Sequence, residues 1–337
     1  MTAALPYIAA GVLAFAVLAY VVLDGFDLGV GILFPLEPEA ADRDVMVNTV
    51  APVWDGNETW LILGGGGLFA LFPTAYAVLM PALYPAIIAM LLALIFRGVA
   101  FEFRHRAESR TGRRAWDAAF WLGSLGAAFC QGLSLGGLMQ GVRVEGGQYA
   151  GGWWDWLTAF TLFCGVAVVI GYGLLGSTWL VWRTEGALQA RCRRYAIRFA
   201  VLTLLCIVIA SLWTPFQHPS YAAHWFRWPE IVLTSPVPLL VALAAWGLWR
   251  GLRGGGEVGP FLCALAWFVL CFAGLGISLF PFIVPPQLTI AGAAAPPASQ
   301  GFLLIGAAVL VPIILAYTGV AYWLFRGKVS AADSHYH

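Results

Sequence analysis

Charged residues are scarce in this sequence. Asp, Glu, Lys and Arg make up 10% of the 337 residues, whereas hydrophobic residues make up 61%. Soluble domains carry about 25% charged residues, so this composition excludes an ordinary soluble protein and is typical of the membrane class. The net charge of +1 at pH 7 gives no support for nucleic acid as a partner.

The sequence also lacks cysteine motifs and a cleavable signal peptide. Its six cysteines form no Cys-x-x-Cys pair, and none lies at metal-ligand spacing from a histidine. Most of them lie in apolar stretches, where cysteine acts as a small packing residue. The first apolar segment has no basic region before it and continues into a charged motif. We therefore interpret that segment as a retained membrane span.

Uncharged runs recur along the whole chain. A spanning helix needs about 20 mostly apolar residues. The runs 59–96 and 258–325 are too long for one helix, and prolines divide each into two. The sequence therefore predicts an all-α integral membrane protein, a single polytopic domain over 1–337 with about nine transmembrane helices; eight is the main alternative. The predicted spans are 5–34, 53–73, 78–104, 116–142, 154–183, 195–214, 231–252, 258–284 and 300–326.

Basic residues are distributed unequally between the two sides of this predicted topology. All of them except Arg143 and Arg227 fall on one side. Cytoplasmic loops of membrane proteins carry an excess of Lys and Arg. The bias predicts a multi-pass protein of the bacterial inner membrane, with a periplasmic N-terminus and a cytoplasmic C-terminus. An even number of spans would break this bias.

Three motifs place charges at predicted helix ends, and charges inside membrane segments are costly enough to mark function. They are D-G-F-D-L-G-V-G at 24–31, A-P-V-W-D-G-N-E-T-W-L at 51–61 and F-R-G-V-A-F-E-F-R at 96–104. Because spans one and three run opposite to span two, all three motifs are expected at one cytoplasmic depth. The candidate charged residues are Asp24, Asp27, Asp55, Glu58, Arg97 and Glu102, and the supporting motif residues are Trp54, Gly56, Asn57 and Trp60.

The spacing of the acids favours proton chemistry. Asp24 and Asp27, like Asp55 and Glu58, lie three residues apart and are expected to share a helical face. Two carboxylates in a low dielectric do not both ionise cheaply, so one binds a proton or a cation is drawn in. Arg97 is the expected counter-charge. The pattern indicates a site that accepts protons from the cytoplasm and passes them inward.

Structural interpretations of the same acids remain open. Asp55 and Glu58 are also explained as first-turn acids that a helix dipole stabilises. Asp24 and Asp27 are also explained as interfacial residues in contact with water. Glu102 is also explained as the partner of a nearby arginine in ordinary interfacial structure.

The motifs resemble those of subunit II of the cytochrome bd quinol oxidases, and the short chain resembles the cyanide-insensitive branch. F-P-F-I-V-P at 280–285 and V-P-I-I-L-A-Y-T at 311–318 match as well. A W-D-G-N segment followed by F-R-x-x-x-F-[ED]-[FY]-R is a highly specific combination. The resemblance implies two four-helix bundles plus one peripheral helix. It also implies a heterodimer with a larger haem-bearing subunit I, often with a small single-span accessory subunit, in contact with membrane lipid and quinone.

The resemblance further implies an activity and roles for several residues. Members of the family oxidise quinol and reduce O2 to water by four electrons, taking the protons from the cytoplasm, with heme b and heme d ligated by subunit I. Asp55 matches an aspartate on a proposed proton route, and Asp24 and Asp27 match an acidic motif on or beside that route. Arg97 matches the arginine of the third motif. Where the family can have Gln this chain has Glu58, whose role the resemblance does not assign.

Histidine is missing from the middle of every predicted span. Haem iron needs an axial ligand such as His, Met or Cys thiolate. We therefore expect no haem or metal ligated by this chain and no complete active site in it. The five histidines are His105 in a predicted loop, His218 and His224 near the outer surface, and His335 and His337 at the tail.

Two other functions remain as alternatives. A proton- or cation-coupled secondary transporter would use Asp24, Asp27 and Asp55 to bind its coupling ion. Such transporters place their sites near the bilayer midplane, on broken helices in repeated halves, whereas these charges lie towards one end of the spans. The third interpretation is a structural scaffold with incidental interfacial charges.

Overall fold

The structure, a computed structural model, describes residues 2–330. Long helices dominate it, and two short antiparallel hairpins, β1–β2 and β3–β4, lie in connecting segments. The helices are α1 (Leu5–Leu33), α2 (Ala40–Val50), α3 (Trp54–Leu71), α4 (Pro73–Arg104), α5 (Arg110–Gln140), α6 (Ala159–Arg183), α7 (Gly186–Trp213), α8 (Pro219–Phe226), α9 (Glu230–Thr234), α10 (Pro236–Arg253), α11 (Val258–Leu279), α12 (Ile290–Ala293) and α13 (Pro297–Leu324). The strands are β1 (Val144–Glu145), β2 (Gln148–Tyr149), β3 (Phe282–Val284) and β4 (Leu288–Thr289).

The long helices form two groups of four. Helices α1, α3, α4 and α5 pack together as one bundle, and α6, α7, α10 and α11 form the other. Contacts of α6 with α1 and α5 join the two bundles, while α13 packs on α1 and α3 at the periphery. The predicted all-α membrane fold of two four-helix bundles plus one peripheral helix is confirmed.

The number of spans depends on how α3 is treated. Within residues 2–330, eight helical segments are long and apolar enough to cross a membrane, and α3 is not among them. Its 18 residues include two carboxyl groups and an asparagine, which lower its hydropathy. It nevertheless runs antiparallel to α1: Asn57 contacts Asp27, and Gly67 lies nearest Leu13. At roughly 1.5 Å per residue α3 extends about 27 Å, so the predicted nine is an approximate count.

The long uncharged run 59–96 is broken at one place. Helix α3 ends before Phe72 and α4 begins at Pro73, while Pro81 and Pro85 lie inside α4. Proline suits the first position of a helix, because its missing N–H has no intrahelical partner there. The third span therefore begins earlier than residue 78, the boundary predicted from the sequence.

Glycines allow α1 and α6 to cross almost in contact. A Cβ at Gly29 would collide with the carbonyl oxygen of Tyr172 and with Gly176, whose own Cβ would meet the backbone at Gly29. Backbone atoms on both sides leave no flexible side chain that can move aside. The crossing places the acidic motif of α1 against α6 and fixes its depth in the bundle.

We expect Gly29→Ala to destabilise the protein strongly. Over-packing in a close-packed core typically costs about 1–3 kcal/mol, and here the added methyl meets backbone. Gly11→Ala is the matched control on the same helix, because a Cβ there has nothing within 4 Å. The thermal midpoint of the purified complex should fall several degrees for Gly29→Ala and stay near wild type for Gly11→Ala. Equal midpoints for the two variants would contradict the close crossing.

Helix α2 is held against one end of the bundle by ion pairs. Arg104, 1% exposed, lies 2.7 Å from Asp44 of α2 and 2.6 Å from Asp117 of α5. Arg113 also pairs with Asp44. Partial burial alone would raise the pKa of Asp44, but the hydrogen bond from Arg113 and the charge of Arg104 outweigh it, and the pKa lies below its usual value. Sequence reasoning missed α2 because it is short and has no long apolar run.

Candidate functional site

An ion pair between α1 and α4 is the centre of the site. The Arg97 Nη1 donates to Asp24 Oδ1 over 2.8 Å, and both side chains are 0% exposed. Trp54 and Phe101 stack on one another with ring centroids 4.6 Å apart and lie beside the guanidinium. A buried charge is tolerated when it is paired. The predicted pairing of Arg97 with an acid of the first motif is present.

Asp27, one turn further along α1, has a neutral partner. The Asn57 Nδ2 donates to Asp27 Oδ2 over 2.7 Å, and the Tyr322 hydroxyl of α13 donates to Asn57 Oδ1 over 3.0 Å. Asp27 is fully buried, and its Oδ1 has no hydrogen-bond partner among the described residues. Three helices thus meet at one carboxyl group that lacks a cation of its own.

Glu58 completes the group. Its Oε2 lies 3.8 Å from Arg97 Nη1, and its side chain is 25% exposed. We call Asp24, Asp27, Glu58 and Arg97 the carboxyl cluster. It holds three carboxyl groups and one guanidinium, and carboxylates in a low dielectric repel each other strongly. At least one of the three therefore favours a bound proton.

A narrow cleft lies beside the cluster, between α3 and α13. Its volume is about 30 Å³, and a water molecule needs roughly 10–15 Å³ of such space, so it has room for one or two waters. The lining residues are Pro52, Val53, Gly56, Asn57, Tyr317, Thr318, Ala321 and Tyr322. Asn57 therefore lines the cleft on one side and donates to the buried carboxyl of Asp27 on the other, and Tyr322 lines the cleft and donates to Asn57.

Two of the predicted charged residues lie outside the cluster. Asp55 is exposed in the first turn of α3, and the Glu102 side chain is 66% exposed, 4.0 Å from Arg106. Neither is a buried charge within this chain: Asp55 has the position of a first-turn acid, and Glu102 that of the partner of a nearby arginine, as the alternative interpretations had it. Residues three apart on a helix differ by about 60° in direction, so Glu58 faces Arg97 while Asp55 faces outward.

The supporting motif residues have separate positions. Trp54 flanks Arg97, Asn57 holds Asp27, and Gly56 borders the cleft. Trp60 is 1% exposed and packs edge-on against Phe15, with ring centroids 5.7 Å apart, on the face of α3 that meets α1. All four lie on α3, so one helix supplies both the wall of the cleft and the neutral partner of Asp27.

Sequence reasoning missed the tyrosines and one glutamine around the cluster. Tyr20, Gln131, Tyr172 and Tyr322 lie on four different helices. Gln131 donates to Tyr20 and accepts from Tyr172, and Tyr322 donates to Asn57, which holds Asp27. One signal was available: Tyr20 lies four residues before Asp24, hence on the same face of α1. The others come near only through tertiary packing.

The histidines lie apart from the carboxyl cluster. His105 follows the last residue of α4, and His218 Nδ1 lies 3.0 Å from the hydroxyl of Ser220. His335 and His337 lie outside the described residues. Across residues 2–330, no group of three or more His, Cys, Asp or Glu side chains is arranged to hold a metal ion.

Comparisons with known proteins agree on one family. A family model described as cytochrome bd terminal oxidase subunit II matches residues 5–325. The cytochrome bd-I ubiquinol oxidase subunit 2 of Escherichia coli (strain K12) is 33% identical, covering 94% of this chain and 93% of that protein. The cytochrome bd ubiquinol oxidase subunit 2 of Bacillus subtilis (strain 168) is 29% identical over 91% of this chain and 92% of that protein.

A solved structure supports the same fold. The bd oxidase from Geobacillus thermodenitrificans matches with a TM-score of 0.75 at 18% identity, covering 95% of this chain and 98% of the matched chain. The likeness extends over the two bundles and α13. The family match over nearly the whole sequence confirms the resemblance of the three motifs: the chain belongs to the cytochrome bd terminal oxidase subunit II family.

Proposed function

We propose that this chain is the non-haem subunit of a quinol:oxygen oxidoreductase in a bacterial inner membrane. Its partner is a larger subunit I, and the complex oxidises quinol and reduces O2 to water by four electrons. The names of the E. coli and B. subtilis relatives, both ubiquinol oxidase subunits, support this activity. The family match over residues 5–325 removes the support for a secondary transporter.

The chain contributes part of the proton path in this proposal. Reduction of O2 to water consumes one proton per electron, and these protons must cross the apolar body of the complex. The carboxyl cluster provides exchangeable groups inside that body, with only one guanidinium to neutralise three acids. The observation that carries the proposal is the cleft lined by Asn57 and Tyr322, because Asn57 is the hydrogen-bond partner of the buried Asp27.

Asp55 has a place at the outer end of this path. It lies exposed in the turn of α3 that also carries Gly56 and Asn57, both of which line the cleft. A carboxylate there collects protons from water and passes them into the cleft, whose one or two waters lie beside Asn57, the hydrogen-bond partner of Asp27. Glu58, partly exposed, offers a parallel route to the same carboxyl cluster.

The path opens to the cytoplasm in the proposed topology. Arg97 lies two turns before the end of α4, so the carboxyl cluster lies near the basic segment that follows α4. The basic segments that follow α6, α10 and α13 lie at the same end of the bundle in this topology. Basic loops stay in the cytoplasm, which puts the N-terminus in the periplasm. The chemical protons are then taken from the cell interior, and the reaction separates charge without a pump cycle.

Haem b and haem d are assigned to subunit I. Neither the cleft nor the apolar cavity of about 270 Å³ between α5 and α6 has a His, Met or Cys side chain in its lining. Met90 and Met139 are buried among apolar side chains, where they pack. The haems would supply the electrons for O2 reduction from the partner subunit. An assay of this chain expressed alone should find no stoichiometric haem.

Asp55→Asn tests the proposed path. In the purified complex we expect quinol oxidase turnover to fall about tenfold or more, because an amide does not exchange protons as a carboxylate does. Glu102→Gln is the control, since Glu102 is also exposed and lies 4.0 Å from Arg106, outside the carboxyl cluster. Haem b and d absorption bands must stay intact in both variants. Wild-type turnover of Asp55→Asn with intact bands would remove it from the path.

A further inference from the structure

Helix α13 has little buried surface along its length. The structure describes all of α13, and Gln300 in its first turn is the only residue of the helix that is buried. The Gln300 side chain donates to the Ala295 carbonyl over 2.6 Å, and the Ala295 N–H donates to the Leu71 carbonyl over 2.9 Å. These contacts fix the beginning of α13. Near its other end the Tyr322 hydroxyl donates to Asn57 beside the carboxyl cluster, so whatever fixes that end also fixes Tyr322.

Arg183, the last residue of α6, contacts the chain just after α13 through both its side chain and its main chain. Its Nη2 donates to the carbonyl of Phe325, and its own carbonyl accepts from the Val329 N–H over 2.8 Å. The last carbonyls of a helix have no intrahelical partner, and Val329 satisfies one that α6 leaves open. A guanidinium is also favourable at the C-terminal end of α13, where the helix dipole is negative. We call residues 325–329 the C-terminal strap.

The C-terminal strap has a second attachment to the other bundle. Lys328 Nζ lies 2.7 Å from Glu257 Oε1, just before α11, and the Gln189 side chain of α7 donates to the same oxygen over 2.9 Å. Lys328 and Glu257 are both exposed, and exposed ion pairs contribute little to stability. Arg183 is 4% exposed, so its contacts compete less with water. The C-terminal strap therefore depends chiefly on Arg183.

Trp179 lies between Arg183 and Tyr322. The Arg183 guanidinium lies 5.0 Å from the centroid of the Trp179 ring, and the Tyr322 ring meets that ring edge-on with centroids 6.3 Å apart. Trp179 is 1% exposed and its Nε1 donates to Thr49 Oγ1 over 3.2 Å, which holds the ring in place. Arg183 thus keeps the end of α13 against a fixed ring at the level of Tyr322.

The Asn57 amide connects this contact to Asp27. Its Nδ2 donates to Asp27 Oδ2 over 2.7 Å and to the Leu23 carbonyl over 3.3 Å, while its Oδ1 accepts from Tyr322. A carbonyl only accepts, so the NH2 group faces α1 and Oδ1 is left for the Tyr322 hydroxyl. Tyr322 also lines the cleft. A displaced α13 would therefore release the amide and move part of the cleft wall.

We propose that Arg183, through the C-terminal strap, is a positioning residue that ties α13 to α6 and so holds Tyr322 on Asn57 beside Asp27. The inference rests on the proposed proton path and adds to it a residue of the second bundle. The lining of the cleft does not include Arg183, so its effect on proton uptake passes through Tyr322. The guanidinium stays protonated throughout, because arginine does not lose its proton in proteins.

The test is proton uptake by the fully reduced, intact complex after it is mixed with O2. Arg183→Leu removes the donor to Phe325 and leaves every residue that lines the cleft in the sequence. We expect proton uptake to slow about fivefold, the scale of one neutral hydrogen bond, with O2 binding unchanged. Tyr322→Phe should slow it by the same factor, because it removes the hydroxyl that the C-terminal strap holds in place.

The double variant distinguishes positioning from general damage. Changes that break one series of contacts do not add, so Arg183→Leu combined with Tyr322→Phe should again be about fivefold slow. Additive effects, about twenty-fivefold in total, would show that Arg183 acts independently of Tyr322 and would overturn the inference. Proton uptake by Arg183→Leu at the wild-type rate would overturn it as well.

Arg250→Leu is the matched control. Arg250 lies in the last turn of α10, and its guanidinium lies 5.3 Å from the centroid of the Trp246 ring, as that of Arg183 lies beside Trp179. We expect Arg250→Leu to take up protons at the wild-type rate. A slowing equal to that of Arg183→Leu would show that the loss of any such arginine has this effect, which contradicts the proposal.

Two shortened chains test the C-terminal strap without a change in α6. A chain that ends at Arg326 lacks the contacts of Lys328 and Val329, whereas a chain that ends at Ser330 keeps both. Only the shorter chain should slow proton uptake, and by less than Arg183→Leu, because the hydrogen bond to Phe325 remains. Equal rates for the two chains would contradict the proposal. Intact haem bands in each variant exclude misassembly as the cause.

Asp27→Asn separates this inference from the proposed function. If Asp27→Asn slows proton uptake while Arg183→Leu keeps the wild-type rate, the proton path stands and the positioning role is wrong. If Asp27→Asn takes up protons at the wild-type rate, the proposed path itself is wrong, and the positioning role is overturned with it.

Discussion

Asp27→Asn is expected to lower quinol oxidase turnover of the intact complex by about a hundredfold, the usual scale for losing a group that transfers a proton. The side chain is fully buried and nearly the same size in both forms. The amide of the variant fills the same space as the carboxyl group but has no exchangeable acidic proton. Asp27 is the buried acid whose hydrogen-bond partner, Asn57, lines the cleft, whereas Asp24 is held by Arg97.

The control for this prediction is an acid at the other end of the molecule. Glu145 of β1 is exposed and pairs with Arg143 at 2.8 Å, so Glu145→Gln should keep wild-type turnover. Haem absorption should be unchanged in both variants, which shows that the complex has assembled. Asp27→Asn at wild-type turnover would show that protons reach the haems without this carboxyl.

Arg97→Leu is expected to have the largest effect on assembly. It leaves Asp24 as a buried carboxylate with no cation, and breaking a buried pair from one side typically costs about 3–5 kcal/mol. A loss of that size is a large part of the stability of a protein. The yield of complex with intact haem bands, and its thermal midpoint, should therefore fall sharply.

A double variant identifies the cause of that loss. Removing both charges with Asp24→Leu and Arg97→Leu should restore part of the stability, because no unpaired charge is then buried. Arg106→Leu is the control: this arginine is 72% exposed and its ion pair with Glu102 is 4.0 Å long, so it should change stability by less than about 1 kcal/mol. A double variant less stable than Arg97→Leu alone would contradict the buried pair.

The sequence was sufficient to predict the membrane fold and the meeting of Asp24 with Arg97. Uncharged runs indicate membrane spans directly, because a lipid-exposed helix tolerates few charges. Alternating span directions then require the ends of α1 and α4 and the start of α3 to lie at one level. Two motifs far apart in the sequence could therefore be placed together without coordinates.

The sequence could not separate the acids within one motif. Asp55 and Glu58 were expected on one face, yet only Glu58 approaches Arg97, and Asn57 rather than Asp55 reaches α1. The rotation of α3 about its axis decides this, and that rotation is fixed by Trp60 and the small residues packed on α1. A spacing of three residues determines proximity on the helix but not the neighbour that each side chain meets.

The hydrogen-bond partners around Asp24 and Asp27 also could not be predicted from the sequence. Gln131 and Tyr172 are single polar residues in apolar runs of other helices, and each resembles an ordinary packing residue in the sequence. Gln131 donates to Tyr20 and Tyr172 donates to Gln131 only because α5 and α6 both pack on α1. The tertiary fold, and not a motif, therefore distinguishes Asp24 from Asp27.

Proton uptake in a single turnover tests the central claim most directly. Fully reduced complex is mixed with O2 in weak buffer, and a pH-sensitive dye follows proton uptake while haem absorption follows O2 binding. We predict that Asp27→Asn binds O2 at the wild-type rate but takes up protons at least about tenfold more slowly. Proton uptake by Asp27→Asn at the wild-type rate would contradict a proton path through the carboxyl cluster.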